Sequence, residues 1–339
     1  MSALKGFSTR ELQKRRHVVQ DSGSDEISEV IMNRRSFGRK IAGAWGASAL
    51  ASGAQLNASP GGAALPDQAQ AAPFKVSVML WTVFHHLPFE ERLEKVAEAG
   101  YHNVELVNEF KKWSDEDYGR VNAKKRALGI HFDATAGLDR GIADPAQRDA
   151  FLAEVRGMLP VLDKLECPTL IVLSGNRVPG MPGYAQYQSC IEGLKRAAEI
   201  IEGKPLRILV ENIDPEENPK YYLTSVAEGY EIMRAVNHPQ IRFLCDFYHE
   251  QIAEGNLIEK LQKNIDFTGL VHIADVPGRH EPGTGEIDYP NIFRKLGQLN
   301  YSHYVAMEYF PTYDAVQSLR TNRELALREG QKTAANAST

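Results

Sequence analysis

From Lys75 onward, short apolar runs alternate with segments whose apolar residues recur every three or four positions. The runs are KVSVMLW, NVELV, IHFDATAG, TLIVLSG, RILVEN, IRFLCD, LVHIAD and YVAMEY. Continuous apolar or β-branched stretches of this length read as strands buried in a parallel sheet. Between them, PFEERLEKVAEAG, VNAKKRALG, PAQRDAFLAEVRGMLPVLDKLE, YAQYQSCIEGLKRAAEIIEG, SVAEGYEIMRAV, NLIEKLQKNI and YPNIFRKLGQL read as helices, several of them closed by glycine. Eight such repeats over about 250 residues predict an α/β fold, a single-domain (β/α)8 TIM barrel. An open doubly wound sheet would usually carry a glycine-rich phosphate turn after its first strand. Here that place is taken by LWTVFHHLPF, which has no glycine. The polar end of the chain, QKTAANAST, reads as frayed, so the barrel is assigned to 73–320 and a C-terminal tail to 321–339.

Four of the runs end in a potential metal ligand: Glu211, Asp246, His272 and Glu308. They are spaced by roughly one strand–helix unit of about 31 residues. Parallel strands bring their C-terminal ends to one mouth, so three carboxylates and an imidazole are expected to face one another there. Gathering them is costly unless a divalent cation neutralises the set. Two Glu, one Asp and one His make a hard, oxygen-rich site suited to Mn²⁺ or Mg²⁺, with Co²⁺ also fitting. Such an ion, chelated by adjacent carbonyl and hydroxyl oxygens, acidifies the neighbouring C–H by stabilising an enediolate, and the carboxylates beside it can move the proton. No GxGxxG, P-loop or GxSxG motif offers different chemistry.

The net charge of −5 gives no reason to expect nucleic acid as a partner, and no uninterrupted apolar stretch suggests a stable membrane anchor. Cys167, Cys190 and Cys245 are too few and too widely spaced for a disulfide framework. The first 72 residues differ from the rest. NRRSFGRK, with Arg34 and Arg35 paired, precedes a weakly apolar Ala/Gly-rich run, which is the layout of a signal peptide and resembles a twin-arginine signal. Asn33 and Gly38 depart from that pattern. Residues 1–31 do not fit a signal, and Met32 is the expected true start. The expected location is therefore periplasmic, or exported by the twin-arginine route.

The four strand-end ligands resemble those of the xylose isomerase-like barrel superfamily, which includes hydroxypyruvate isomerases, ketose 3-epimerases and endonuclease IV. The resemblance extends over about residues 75–312. HIADVPGRHEPGTGEIDYPNIFRKL is similar to the hydroxypyruvate isomerase family's seventh strand and following loop, and VSVMLWTVFHHLPFEERLEKVAEAGYHNVEL is similar to its opening. The resemblance implies that Glu211 and Glu308 bind metal and act as the acid–base pair, while Asp246 and His272 complete the metal site. It also implies that His249, Arg279, Glu105 and His86 contact substrate. His272 stands where the epimerases place a metal-binding His and hydroxypyruvate isomerases often have Gln. The expected activity is a metal-dependent, hydroxypyruvate isomerase-like isomerase of a small sugar or hydroxy-keto acid, compatible with a homo-oligomer. The alternatives are a ketose 3-epimerase and an exported carbohydrate-binding protein without turnover.

Overall fold

Eight parallel strands pair in chain order and close on themselves, with β1 against β8. A computed structural model describes residues 71–331 of the chain. The segment read as an export signal, and Met32 with it, lies outside those residues. The strands are β1 (Lys75–Met79), β2 (Asn103–Leu106), β3 (His131–Thr135), β4 (Thr169–Leu173), β5 (Arg207–Glu211), β6 (Ile241–Asp246), β7 (Thr268–Ile273) and β8 (Tyr304–Met307). Around them lie α1 (Phe89–Glu98), α2 (Asp115–Ala127), α3 (Arg148–Leu165), α4 (Gly183–Ile201), α5 (Val226–Val236), α6 (Phe247–Ala253), α7 (Leu257–Asn264), α8 (Tyr289–Gln298) and α9 (Ala315–Glu329). This is the expected TIM barrel.

Two apolar cores follow from the two faces of the strands. The larger one fills the space between sheet and helices. The smaller one, Met79, Ala134, Ile171, Leu209, Leu244, Leu270 and Ala306, takes one residue from each of seven strands and fills the barrel. Leu209, Leu244, Leu270 and Ala306 each lie two positions before an expected ligand. With a side-chain period of two, Glu211, Asp246, His272 and Glu308 therefore point into the same lumen, one layer nearer the mouth.

Three local features depart from the expectations. Helix α2 begins earlier than its apolar pattern, because Ser114 and Asp117 form a capping box at its start. Helix α6 is an additional helix, capped by the Asp246 carboxylate itself. The tail expected from Thr321 is corrected: α9 continues to Glu329, with Asn322 and Ala326 buried on the barrel. The Tyr101 hydroxyl donates to the Leu319 carbonyl at 2.9 Å, fastening α9 across the start of β2. Helix α9 is polar along most of its length, with Ser318 and Asn322 among its buried residues, so its composition read as a tail.

One glycine carries a packing constraint. Gly229, inside α5, lies flat against the buried Phe243 ring of β6, and a Cβ there would run into that ring. Helix propensity alone would favour Ala by about 1 kcal/mol. Overpacking a core usually costs about 1–3 kcal/mol and wins here. Gly229→Ala is expected to lower the urea midpoint without changing the slope; an unchanged or higher midpoint would show that the ring moves aside freely.

Candidate active site

Glu211 and Asp246 are the last residues of β5 and β6, His272 is the penultimate residue of β7, and Glu308 follows β8 directly. One ligand atom from each lies within 4.8 Å of the others, and all four residues are buried. His272 Nδ1 lies 2.8 Å from Glu308 Oε2, 3.4 Å from Glu211 Oε1 and 4.0 Å from Asp246 Oδ2. His272 Nδ1 and Glu308 Oε2 are nonetheless without a hydrogen-bond partner. Two orphaned buried atoms aimed at one point, among oxygen donors, are what a divalent cation would satisfy. The donor set therefore fits a hard divalent ion, although nothing in it selects Mn²⁺ over Mg²⁺.

The supporting contacts hold this geometry. Asn212, next to Glu211, accepts from the Asp246 amide at 3.1 Å and donates to the Asp246 carbonyl at 3.2 Å, locking the ends of β5 and β6 together. Asp246 Oδ1 is taken by the His249 amide at 3.1 Å, which leaves Oδ2 facing the cluster. The Tyr221 hydroxyl donates to the Glu211 carbonyl at 3.1 Å. In the loop after β7, Asp275 accepts from the amides of Gly283, Gly285 and Ile287. A Cβ on Gly285 would collide with the Val276 carbonyl, so the PGTGEID stretch curls around one carboxylate. That curl presents Arg279, in the left-handed region at φ 58°, to the mouth.

The expected substrate contacts fare differently. Arg279 is buried, with Nη2 2.9 Å from Glu308 Oε2 and Nη1 2.9 Å from Glu217 Oε2. It also stacks over Tyr248 and Trp81. His249 is buried, bonded through Nδ1 to Asp214 at 2.5 Å, with Nε2 3.5 Å from Asp246 Oδ2. Both reach the cluster. Glu105 has no exposed surface and lies 2.8 Å from His272 Nε2, on the side of the imidazole away from Nδ1. It is placed to orient His272 rather than to meet a substrate. His86 is exposed in the loop after β1, its ring against His85, and no hydrogen bond among the described residues ties it to the cluster. His280 and Glu281 shape the loops, through the Phe310 carbonyl and through Thr312.

Three residues outside the sequence expectations join the site. Trp81, 38% exposed at the mouth, donates from Nε1 to Glu308 Oε1 at 2.8 Å. Asp214 and Glu217 hold His249 and Arg279 from the loop after β5. The lone apolar–aromatic pattern of LWT carried no signal for Trp81, because its partner is 227 positions away.

The electrostatics separate the carboxylates. Burial disfavours a charged Glu308, but Arg279 and His272 outweigh it and hold Glu308 well below the usual carboxylate range. Burial pushes Asp246 up to about 6, despite His249 and Arg279 nearby. Burial likewise opposes charge on His249, yet Asp246 and the Asp214 bond raise it to about 9. His272 is raised well above its ordinary range, because Glu105 and Glu308 overcome its burial. A proton there partly offsets the carboxylates, and a metal ion would have to displace it.

The comparisons with known proteins agree with this architecture. The family model described as "Xylose isomerase-like TIM barrel" matches residues 93–335. A 2-oxo-tetronate isomerase of Pectobacterium atrosepticum is 30% identical over 244 residues, 70% of this chain and 92% of that protein. The hydroxypyruvate isomerase of Escherichia coli is 28% identical over 251 residues, 73% of this chain and 97% of that protein. Among solved structures, one titled AP endonuclease, family 2, from Brucella melitensis superposes with a TM-score of 0.66 at 27% identity, covering 73% of this chain and 96% of that one.

Proposed function

This chain belongs to the xylose isomerase-like TIM barrel family, and from that premise we propose that it is a metal-dependent isomerase of a small hydroxy-carbonyl compound. The observation that carries the reading is the convergence of Glu211, Asp246, His272 and Glu308, with His272 Nδ1 and Glu308 Oε2 lacking hydrogen-bond partners. The names of the curated relatives, hydroxypyruvate isomerase and 2-oxo-tetronate isomerase, support hydroxy-keto acids as the first substrates to test.

Glu211, Asp246, His272 and Glu308 would hold the ion, and a divalent cation supplies the positive charge that acidifies a C–H beside a carbonyl. Glu211 and Glu308 approach the shared point from β5 and from the end of β8, so one can remove a proton from one carbon and the other can guard or serve the next. Arg279, wedged between Glu308 and Glu217, offers a guanidinium fork to a substrate carboxylate or hydroxyl. Trp81, with its indole at the mouth, holds Glu308 in place and covers the site with apolar surface.

The test is proton exchange. Metal-loaded protein is incubated in D₂O with hydroxypyruvate, 2-oxo-tetronate and a panel of ketoses, and deuterium is followed by NMR. Isomerisation with deuterium at the carbon beside the carbonyl is expected for the acids. Deuterium at C3 of a ketose with inverted configuration would instead mark a 3-epimerase, which the histidine at position 272 favours. Saturable binding with no exchange on any substrate would overturn the isomerase reading in favour of binding without turnover.

A further inference from the structure

The inward layers of this barrel carry opposite charge at its two ends. Below the carboxylate layer lies the apolar layer that includes Leu209, Leu244 and Ala306, and two positions earlier on the same strands come Arg207, Arg242 and Tyr304. Lys75 pairs with Tyr304 in the β1–β8 register and brings a further cation to this floor. Barrel interiors are ordinarily filled at each level by branched apolar residues.

The floor is built around Arg242. The carbonyls of His238 and Ile241 accept from its Nη1 at 2.7 and 2.9 Å and fix the guanidinium. Gly269 on β7 leaves the room for it: a Cβ there would come within 2.8 Å of Arg242 Cβ and 2.6 Å of Leu209 Cδ2. Arg207 Nη1 lies 3.3 Å from His303 Nδ1. Burial, then Arg207 and Arg242, pushes His303 below its ordinary range. Its ring is therefore neutral at pH 7; Nδ1 accepts from Arg207 and Nε2 keeps the hydrogen.

These three groups line one cavity of about 320 Å³, with Asn300 and Ser302 on its rim. Asp266 lines it too, but among the described residues neither Arg207 nor Arg242 has a carboxylate within 4.0 Å. Asp266 offsets Arg242 only at longer range; the two guanidiniums repel one another, and the partly buried one has lost water as well. An oxyanion that accepts from both forks removes both costs.

We propose that the floor of the barrel, at Arg207, Arg242 and His303, is a binding site for a small tetrahedral oxyanion, a phosphate or a phosphomonoester. It lies at the end of the strands opposite the metal ligands, so it is separate from the substrate site. Because the site is assembled from β5, β6 and the loop before β8, its ligand binds the folded chain and stabilises it.

The experiment titrates the purified full chain, with and without Mn²⁺, with inorganic phosphate and separately with glycerol 3-phosphate. Ionic strength is held constant with sodium chloride, and binding is read by calorimetry and by melting temperature. A saturable isotherm is expected for at least one of the two, and which one binds tells a free oxyanion from an ester. Arg207→Gln, at an exposed position, is expected to weaken that binding at least about 10-fold, the loss of one charge-assisted hydrogen-bonding group, and to leave turnover unchanged. Arg242→Gln should act in the same direction, but its stem fills the barrel, so Arg207→Gln decides. Equal effects of chloride and phosphate would overturn the site, as would undiminished binding by Arg207→Gln. Neither result would touch the isomerase reading, which the proton-exchange experiment tests independently.

Discussion

Glu308→Gln is expected to lower turnover by about 10²–10⁴-fold, the range that one positioned acid–base group contributes, while the protein still folds. The reason is on both sides of the carboxylate. Oε1 accepts from Trp81 Nε1, while Oε2 makes no hydrogen bond but lies 2.9 Å from Arg279 Nη2 as an ion pair, so an N–H group faces each oxygen. A glutamine has one carbonyl oxygen, and whichever way its amide turns, an NH₂ meets a donor. The variant loses the base and at the same time turns a donor toward the metal-binding point. The measurement therefore needs two readouts across a Mn²⁺ titration up to saturation: bound metal, and deuterium exchange from D₂O. Normal metal content with lost exchange would assign the proton transfer to Glu308. Recovery of exchange at high Mn²⁺ would make it a ligand only, and full activity would remove it from the mechanism. Glu211→Gln should show the same pattern if the two carboxylates share the proton between neighbouring carbons.

The barrel was legible in the sequence because parallel strands buried on both faces become apolar runs, and because helical segments alternate with them. The ligands were legible for a related reason: a polar residue closing an apolar strand is conspicuous, and four of them at one-unit spacing coincide at one mouth. Helix α6 was not legible, since its seven residues give no helical period and its cap is the ligand Asp246. Helix α9 was hidden by a polar composition that extends to the buried Ser318 and Asn322. Trp81, Asp214 and Glu217 were missed because their roles come from closure of the barrel, which brings the loops after β1 and β5 to the ends of β6, β7 and β8. The floor cations were missed for the opposite reason. Arg207 and Arg242 sit at strand starts, where a charged residue reads as ordinary solvent contact until the closed barrel shows which way it points.

Glu105 is placed to support a metal ligand, and its substitution distinguishes that role from a substrate contact. At the end of β2, it is wholly buried and bonded to His272 Nε2. Accepting from Nε2–H leaves Nδ1 with its lone pair toward the cluster, so Glu105 selects the tautomer that can bind metal. Burial raises its own pKa, with His272 opposing, and its second oxygen has no partner. Asp133 lies beside it on β3, tied by the Ser77 hydroxyl at 2.7 Å. Burial and then Glu105 push Asp133 well above the usual carboxylate range. Glu105→Leu leaves His272 Nε2–H without an acceptor, and Mn²⁺ affinity is expected to fall about 10–100-fold, the usual loss when such a supporting carboxylate is removed. Glu105→Gln keeps a carbonyl acceptor at the same position, so its loss should be smaller. Calorimetric titration of Mn²⁺ into each variant ranks them. A substrate contact would give the reverse result, unchanged Mn²⁺ affinity with a raised KM. That outcome would return Glu105 to the substrate side, and His272 would then need another explanation for its orientation.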